Sequence, residues 1–179
     1  MEDFNVKTKN GSEGLKTSDP QDFEVQDNYF PLVNPKSKFG SVLLHIVLLL
    51  WMLPQNIVGL LFAAFTGWRY VGRVGGALIF RKGSSTSVTL GHFIFIGDAA
   101  WGKVSIASHE YGHHINSRWS GWFYLLIIGL PSAIVCMFIT DHEKYHKFYP
   151  EKWAEKFGRM YFPTEDFINM MNNLGYRTF

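Results

Sequence analysis

The sequence predicts an α+β fold that is mostly helical. A small β-hairpin or sheet precedes a motif helix, and two long apolar helical segments accompany them. Three observations carry this expectation. β-Branched and aromatic residues concentrate between Ala77 and Ile96, two histidines stand four apart at His109 and His113, and the chain is strongly apolar over 39–68 and 119–140. With 179 residues the chain can build one domain with a real core, plus peripheral segments.

Taken in order, residues 1–38 are polar, with mixed charge and scattered Gly, Ser, Asn and Pro, and read as an N-terminal arm or covering segment. No apolar stretch follows the first methionine closely, so no secretory signal is expected. Residues 39–68 form an apolar anchor or helical hairpin. Its two pieces, Phe39 to Leu53 and Ile57 to Thr66, part at Pro54, where a helix must end or kink. Arg69 to Gly76 is basic and glycine-rich and reads as a loop. A hairpin follows, with Ala77–Phe80 as one arm, Val88–Ile96 as the other and Gly83-Ser84-Ser85 as its turn; a single strand plus a loop is the alternative.

A helix is expected from about Lys103 to Asn116, with Val104, Ile106, Ala107, Tyr111 and Ile115 on its apolar side. The second apolar segment, Trp119 to Thr140, is interrupted near Gly129-Leu130-Pro131-Ser132. Pro150 then opens a short helix, Glu151 to Phe157, with Gly158 as its stop. Thr164 is placed to cap a last helix, Glu165 to Asn173. The segment from residue 69 to 179, including the apolar helix 119–140, forms the domain that carries the chemistry.

A net charge of +2 is too small to imply a nucleic-acid partner. The single cysteine, Cys136, excludes an internal disulfide, and its apolar surroundings suggest a buried, inert thiol. Each apolar segment is long enough to be weighed as a membrane span. Tryptophans at their ends (Trp68, Trp119, Trp122) and flanking Lys36, Lys38, Arg69, Arg73 and Arg118 resemble interfacial anchors. Membrane association is the favoured expectation, with buried helices of a soluble cytoplasmic protein as the alternative.

The chemistry concentrates in His109-Glu110-Tyr111-Gly112-His113. Residues four apart share a helix face, so both imidazoles can reach one Zn2+ ion. Glu110 projects about 100° round the axis, beside the metal, where it can take a proton from the attacking water. Gly112 costs a helix about 1 kcal/mol, which calls for a packing reason such as close approach of another backbone. The bland alternative is two histidines exposed on a polar helix.

This segment resembles the HExGH form of the zincin metallopeptidases, and a strand or hairpin ahead of the motif helix matches their usual order. Glu151-Lys152-Trp153-Ala154-Glu155 resembles the second gluzincin motif. The resemblance spans about Ala77 to Gly158. It implies that Glu151 is the third zinc ligand and that Glu155 accepts a hydrogen bond from one of the histidines. The bland alternative for Glu151 is an exposed glutamate in the first turn of a helix. The chain is also similar to small membrane-associated bacterial proteins combining this motif with apolar segments, which implies the bacterial inner membrane as its location. If Glu151 joins the histidines, both ends of 119–140 must lie on the same side of any membrane. That segment must then turn back as a hairpin or pack along the protein, since a straight span would part the ligands by about 30 Å.

A second match, His142-Glu143-Lys144-Tyr145-His146, competes with the first. Lys144 beside a dication and Pro150 close behind make it the weaker of the two. Its residues are read as a solvated polar face, or else His142, Tyr145 or His146 lies over the site as a transition-state stabiliser. His114 is expected to be structural, and His45 and His92 to be satisfied core histidines. The function expected is zinc-dependent hydrolysis of a peptide or protein substrate at or near a membrane surface, with Glu110 as general base. The competing reading is a non-enzymatic, membrane-associated interaction protein with a structural metal or none.

Overall fold

The computed structural model describes residues 37–138, 147–176 and 178. The arm expected over residues 1–36 and the second motif, with His142, Tyr145 and His146, lie outside the described residues. The described architecture is α+β and mostly helical, with a small mixed four-stranded sheet.

Helix α1 (Lys38–Trp51) starts where the Ser37 hydroxyl accepts the Gly40 amide at 3.0 Å, an ordinary N-cap. It stops at Met52, and α2 (Leu53–Thr66) begins at once with Pro54 in its first turn, where a missing N–H costs nothing. The two helices meet at 84°. The sheet follows as β1 (Arg69–Val74), β2 (Ala77–Lys82), β3 (Val88–Leu90) and β4 (Phe93–Gly97), in spatial order β1-β2-β4-β3.

The sheet corrects the sequence reading in two places. Arg69–Val74 is a strand rather than a loop, because the turn lies at Gly75 and Gly76, both at positive φ. The stretch 88–96 is two strands, parted by Gly91 at φ 66. The hairpins are therefore β1–β2 and β3–β4, while β2 runs parallel to β4, pairing Ile79 with Ile94 and Phe80 with Phe95. Gly83-Ser84-Ser85 leads into a crossover, not into a hairpin turn.

Alternation along β2 and β4 gives the sheet two apolar faces. Val74, Ala77, Ile79, Ile94 and Ile96 join Ala107, Tyr111 and Ile115 of α3 (Val104–Ser120) in the core, with Val104 and Ile106 packed against it. The opposite face carries Phe80, Phe93 and Phe95, on which Phe62 of α2 and Trp68 pack edge-on; Phe62 and Phe95 lie 5.0 Å apart. Tyr111 fixes α3 to the β1–β2 turn by donating to the Gly75 carbonyl at 2.9 Å.

Helix α3 runs one turn beyond the expected end, since Ser117 and Arg118 are still buried, and Gly121 at φ 53 closes it. Here the elbow between α1 and α2 docks. Trp51 Nε1 donates to the Arg118 carbonyl at 3.0 Å, Gln55 to the Gly121 carbonyl at 2.9 Å, and Trp122 Nε1 to the Leu50 carbonyl at 2.9 Å. A short 3-10 turn and a π-helical stretch (Leu125–Gly129) then lead into α4 (Leu130–Phe138), bent by 118° from α3. The bend falls at residues 121–124 rather than at 129–132. Cys136 is exposed on α4, not buried, and so departs from the sequence reading; no residue of that helix is buried.

Helix α5 (Tyr149–Tyr161) has Pro150 in its first turn, as expected, but continues through Gly158 instead of stopping there. Helix α6 (Thr164–Asn173) follows close to its expected bounds, although the Thr164 hydroxyl bonds the Phe162 carbonyl rather than capping the helix. Among the described residues no single helix is long and apolar enough to cross a membrane; α1 with α2, and α3 with the segment after it, meet that requirement only as bent pairs.

Candidate metal centre

The site is built by the crossing of α3 and α5, and two glycines set how close that crossing is. A Cβ on Gly112 would collide with the backbone of Ala154, and one on Gly158 with the carbonyl of Ser108. The expected packing reason for Gly112 is thus a helix backbone. The same contact explains why Gly158 lies inside α5: it is a point of approach, and neighbouring packing outweighs its poor helix propensity.

This approach delivers Glu151, in the first turn of α5, to the histidine face of α3. His109 Nε2 and Glu151 Oε2 lie 3.0 Å apart, and His113 Nε2 and the same oxygen 3.5 Å apart. Ligand atoms of the three residues all fall within 4.8 Å of one another. Ligands held about 2.1 Å from one zinc ion at tetrahedral angles stand about 3.4 Å apart, so these spacings suit a common dication. Two imidazoles and one carboxylate are also a donor set used by catalytic zinc, which keeps a fourth position open. The residues present fit the ion.

Burial divides the three. The Glu151 side chain is fully buried, while those of His109 and His113 are 14% and 9% exposed. A buried carboxylate must be paired and hydrogen-bonded. Here the second oxygen, Oε1, accepts the hydroxyl of Ser132 on α4. Burial opposes ionisation of Glu151, but hydrogen bonds from His109, His113 and Ser132 hold its pKa far below the usual carboxylate range. Burial likewise opposes charge on His109; the bond to Glu151 and the charges of Glu110 and Glu151 outweigh it and raise its pKa. Glu155 stands 3.5 Å from His109 Nδ1, on the side of the ring away from Glu151, and also holds Arg159 at 2.6 Å.

Glu110 is buried beside this group, and its carboxylate accepts the Thr89 hydroxyl at 2.7 Å. Thr89 lies on β3, at the edge of the sheet, so the strand bears directly on the orientation of Glu110. His114 is buried, donates from Nδ1 to the Gly91 carbonyl at 2.8 Å and does not belong to the cluster, in line with its structural reading. His92 is a satisfied histidine bonded to Asn56, whereas His45 is exposed rather than in a core.

Structure thus brings together His109, Glu110, His113, Glu151 and Glu155. Ser132 and Thr89 were not singled out by the sequence reading. Ser132 did leave a trace, as a hydroxyl inside the otherwise apolar run Leu125 to Phe138. Comparison with protein-family models, with curated proteins and with solved structures gives no match to this chain.

Proposed function

We propose that this chain is a zinc-dependent peptidase of gluzincin-like type, working at or near a membrane surface. The observation that carries the proposal is the convergence of His109, His113 and Glu151, from two helices far apart in sequence, on one point beside Glu110. His109, His113 and Glu151 would hold the zinc ion, which would supply a Lewis acid for the scissile carbonyl and lower the pKa of a water molecule. The protein's own groups do the rest. Glu110 takes the proton of the attacking water and hands it to the leaving amine, and Thr89 keeps the Glu110 carboxylate in one orientation. Ser132 and Glu155 hold Glu151 and the His109 ring in place, so that little rearrangement is needed when the ion binds.

The membrane part of the proposal is supported by apolar residues that face outward. Helix α1 has no buried residue, and Val42, Leu43, Ile46, Val47, Leu49 and Leu50 are all half or nearly half exposed. A patch of that size on a water-soluble surface is a liability unless something apolar covers it.

The test is metal content followed by activity. Purified protein is expected to hold about one zinc per chain, and His113→Ala to hold much less. Glu110→Gln is expected to keep the zinc and lose cleavage of a peptide library by at least a hundredfold, within the range ascribed to a positioned general base. Equal cleavage by Glu110→Gln and wild type would sink the assignment. Failure of the folded wild type to bind zinc would favour the non-enzymatic reading, in which the His109–Glu151 pair is an ordinary buried ion pair.

A further inference from the structure

The exposed residues of α1 from Val42 to Trp51 are aliphatic or aromatic, His45 apart. Every exposed residue of α2 is apolar. The same holds from Trp122 to Phe138, where Leu126 is 67% and Met137 79% exposed. These faces are joined. Trp51 and Gln55 donate to the carbonyls of Arg118 and Gly121, and Trp122 donates back to that of Leu50. Gly121 makes room for the Trp51 ring, which a Cβ there would strike. The two apolar segments therefore meet at one seam, with Trp51, Trp119 and Trp122 exposed along it.

Charge is placed as unevenly. Residues 37–97 contain no Asp or Glu. Lys38 opens α1, Arg69 follows α2, Lys82 donates to the Thr66 carbonyl at the end of α2, and Arg73 reaches His45 of α1 at 3.5 Å. All four are exposed. Cations thus flank the apolar helices, and no acidic side chain from this stretch offsets them. A second copy of the chain would bring the same cations to that face, and protein interfaces mix polar groups among the apolar ones. An anionic lipid surface brings the opposite charge, and its apolar phase asks for no hydrogen bonds.

Length limits how far such a surface can enter. Helices α1 and α2 have 14 residues each, which gives about 21 Å against a hydrocarbon core of about 30 Å. They turn on each other by 84°. The later segment bends back from α3 and stays tied to the domain, because Ser132 bonds Glu151 and the Ile127 carbonyl accepts the Tyr149 hydroxyl.

We propose that the outer faces of α1, α2 and residues 122–138 form one docking surface, which enters a single leaflet of an anionic lipid membrane and does not cross it. This rests on the membrane part of the reading above, for which it names the partner and the depth, and it is independent of the zinc site.

The experiment adds the full chain, carrying an NBD fluorophore on Cys136, its single cysteine, to preformed phosphatidylcholine vesicles with and without phosphatidylglycerol. Phosphatidylglycerol is expected to raise retention, and NBD emission to shift to the blue on binding. Dithionite, added outside and unable to cross the bilayer, is expected to bleach all of the bound NBD. Leu60→Asp with Leu61→Asp, and Leu126→Asp with Leu130→Asp, are each expected to lower retention at least about tenfold with unchanged circular dichroism. Met160→Asp, exposed on α5 outside this surface, is expected to bind as wild type does. No retention on either vesicle overturns this proposal and the membrane reading with it. NBD protected from dithionite overturns the single-leaflet placement alone. Equal retention with and without phosphatidylglycerol overturns the anionic partner, and a soluble dimer that ignores vesicles would make a second copy the occupant. Docking without peptide cleavage supports the proposal and sinks only the peptidase reading.

Discussion

The α3–α5 crossing and the α1–α2 elbow lie at different ends of α3, and they handle polar and apolar groups in opposite ways. At the crossing, two glycines remove side chains so that the backbones meet, and a fully buried carboxylate is satisfied by two imidazoles and a hydroxyl. Along α1, most apolar side chains face outward, and the elbow is attached by hydrogen bonds from Trp51, Gln55 and Trp122 to backbone carbonyls. The first region is complete within the chain. In the second, apolar side chains stay exposed among the described residues. The contrast teaches that apolar composition and burial are separate matters: here the more apolar helix is the less buried one.

The sharpest way to break the comparison is to remove the close approach. Gly→Ala in a helix interior ordinarily adds about 1 kcal/mol of stability. Gly112→Ala is expected to do the reverse and cost about 3 kcal/mol, because its methyl group meets the Ala154 backbone, which cannot step aside. Urea unfolding of the two proteins measures the sign, and a more stable variant would show that the crossing is loose.

A smaller effect is expected one step further from the histidine face, where the proposed zinc site would feel it. Ser132→Ala removes the hydroxyl that holds Glu151 Oε1 and is expected to weaken zinc binding about tenfold. Competition with a chromogenic chelator gives the ratio, and an unchanged affinity would mean that Glu151 is positioned by α5 alone.

Changes on the other region are expected to leave the fold almost untouched. Ile46→Asp with Leu50→Asp alters two outward residues and is expected to shift stability by no more than about 0.5 kcal/mol per site. The same variant is expected to lose retention on lipid vesicles. Loss of folding instead would show that these residues are covered by the protein itself.

A last effect depends on pH and concerns His92. Burial, reinforced by the charges of Arg118, His45 and Arg73, pushes its pKa down to about 4. A histidine with a lowered folded pKa contributes stability that is present above its ordinary value of 6.5 and is lost as pH falls from there towards 4. The melting temperature of wild type is therefore expected to fall more steeply over that interval than that of His92→Asn. Parallel curves would place the titration elsewhere.

Much of the candidate site was legible in the sequence because helical spacing is local. A four-residue interval sets His109 and His113 on one face whatever the rest of the chain does, and the interval also places Glu110 beside them. The gluzincin-like spacing of Glu151 and Glu155 pointed to residues that the fold then brings to His109. Ser132 and Thr89 were not legible. Each acts across a contact between elements, and neither a serine in an apolar helix nor a threonine in a strand says which neighbour it will meet.

By itself the sequence determined the helical character of the chain, the residues of the histidine face, the apolar side of α3 and the break beside Pro54. These follow from periodicity and from the steric limits of proline. Only the tertiary structure decided that β2 pairs in parallel with β4, that Gly158 is a contact rather than a stop, and that Cys136 is exposed. It alone gathered arginines and histidines from α1, β1, the β3–β4 turn and α3 round one cavity. The physical reason is the same in each case. Strand partners, close backbone contacts and burial depend on what lies opposite a residue, and that is set by how the elements pack together rather than by neighbours along the chain.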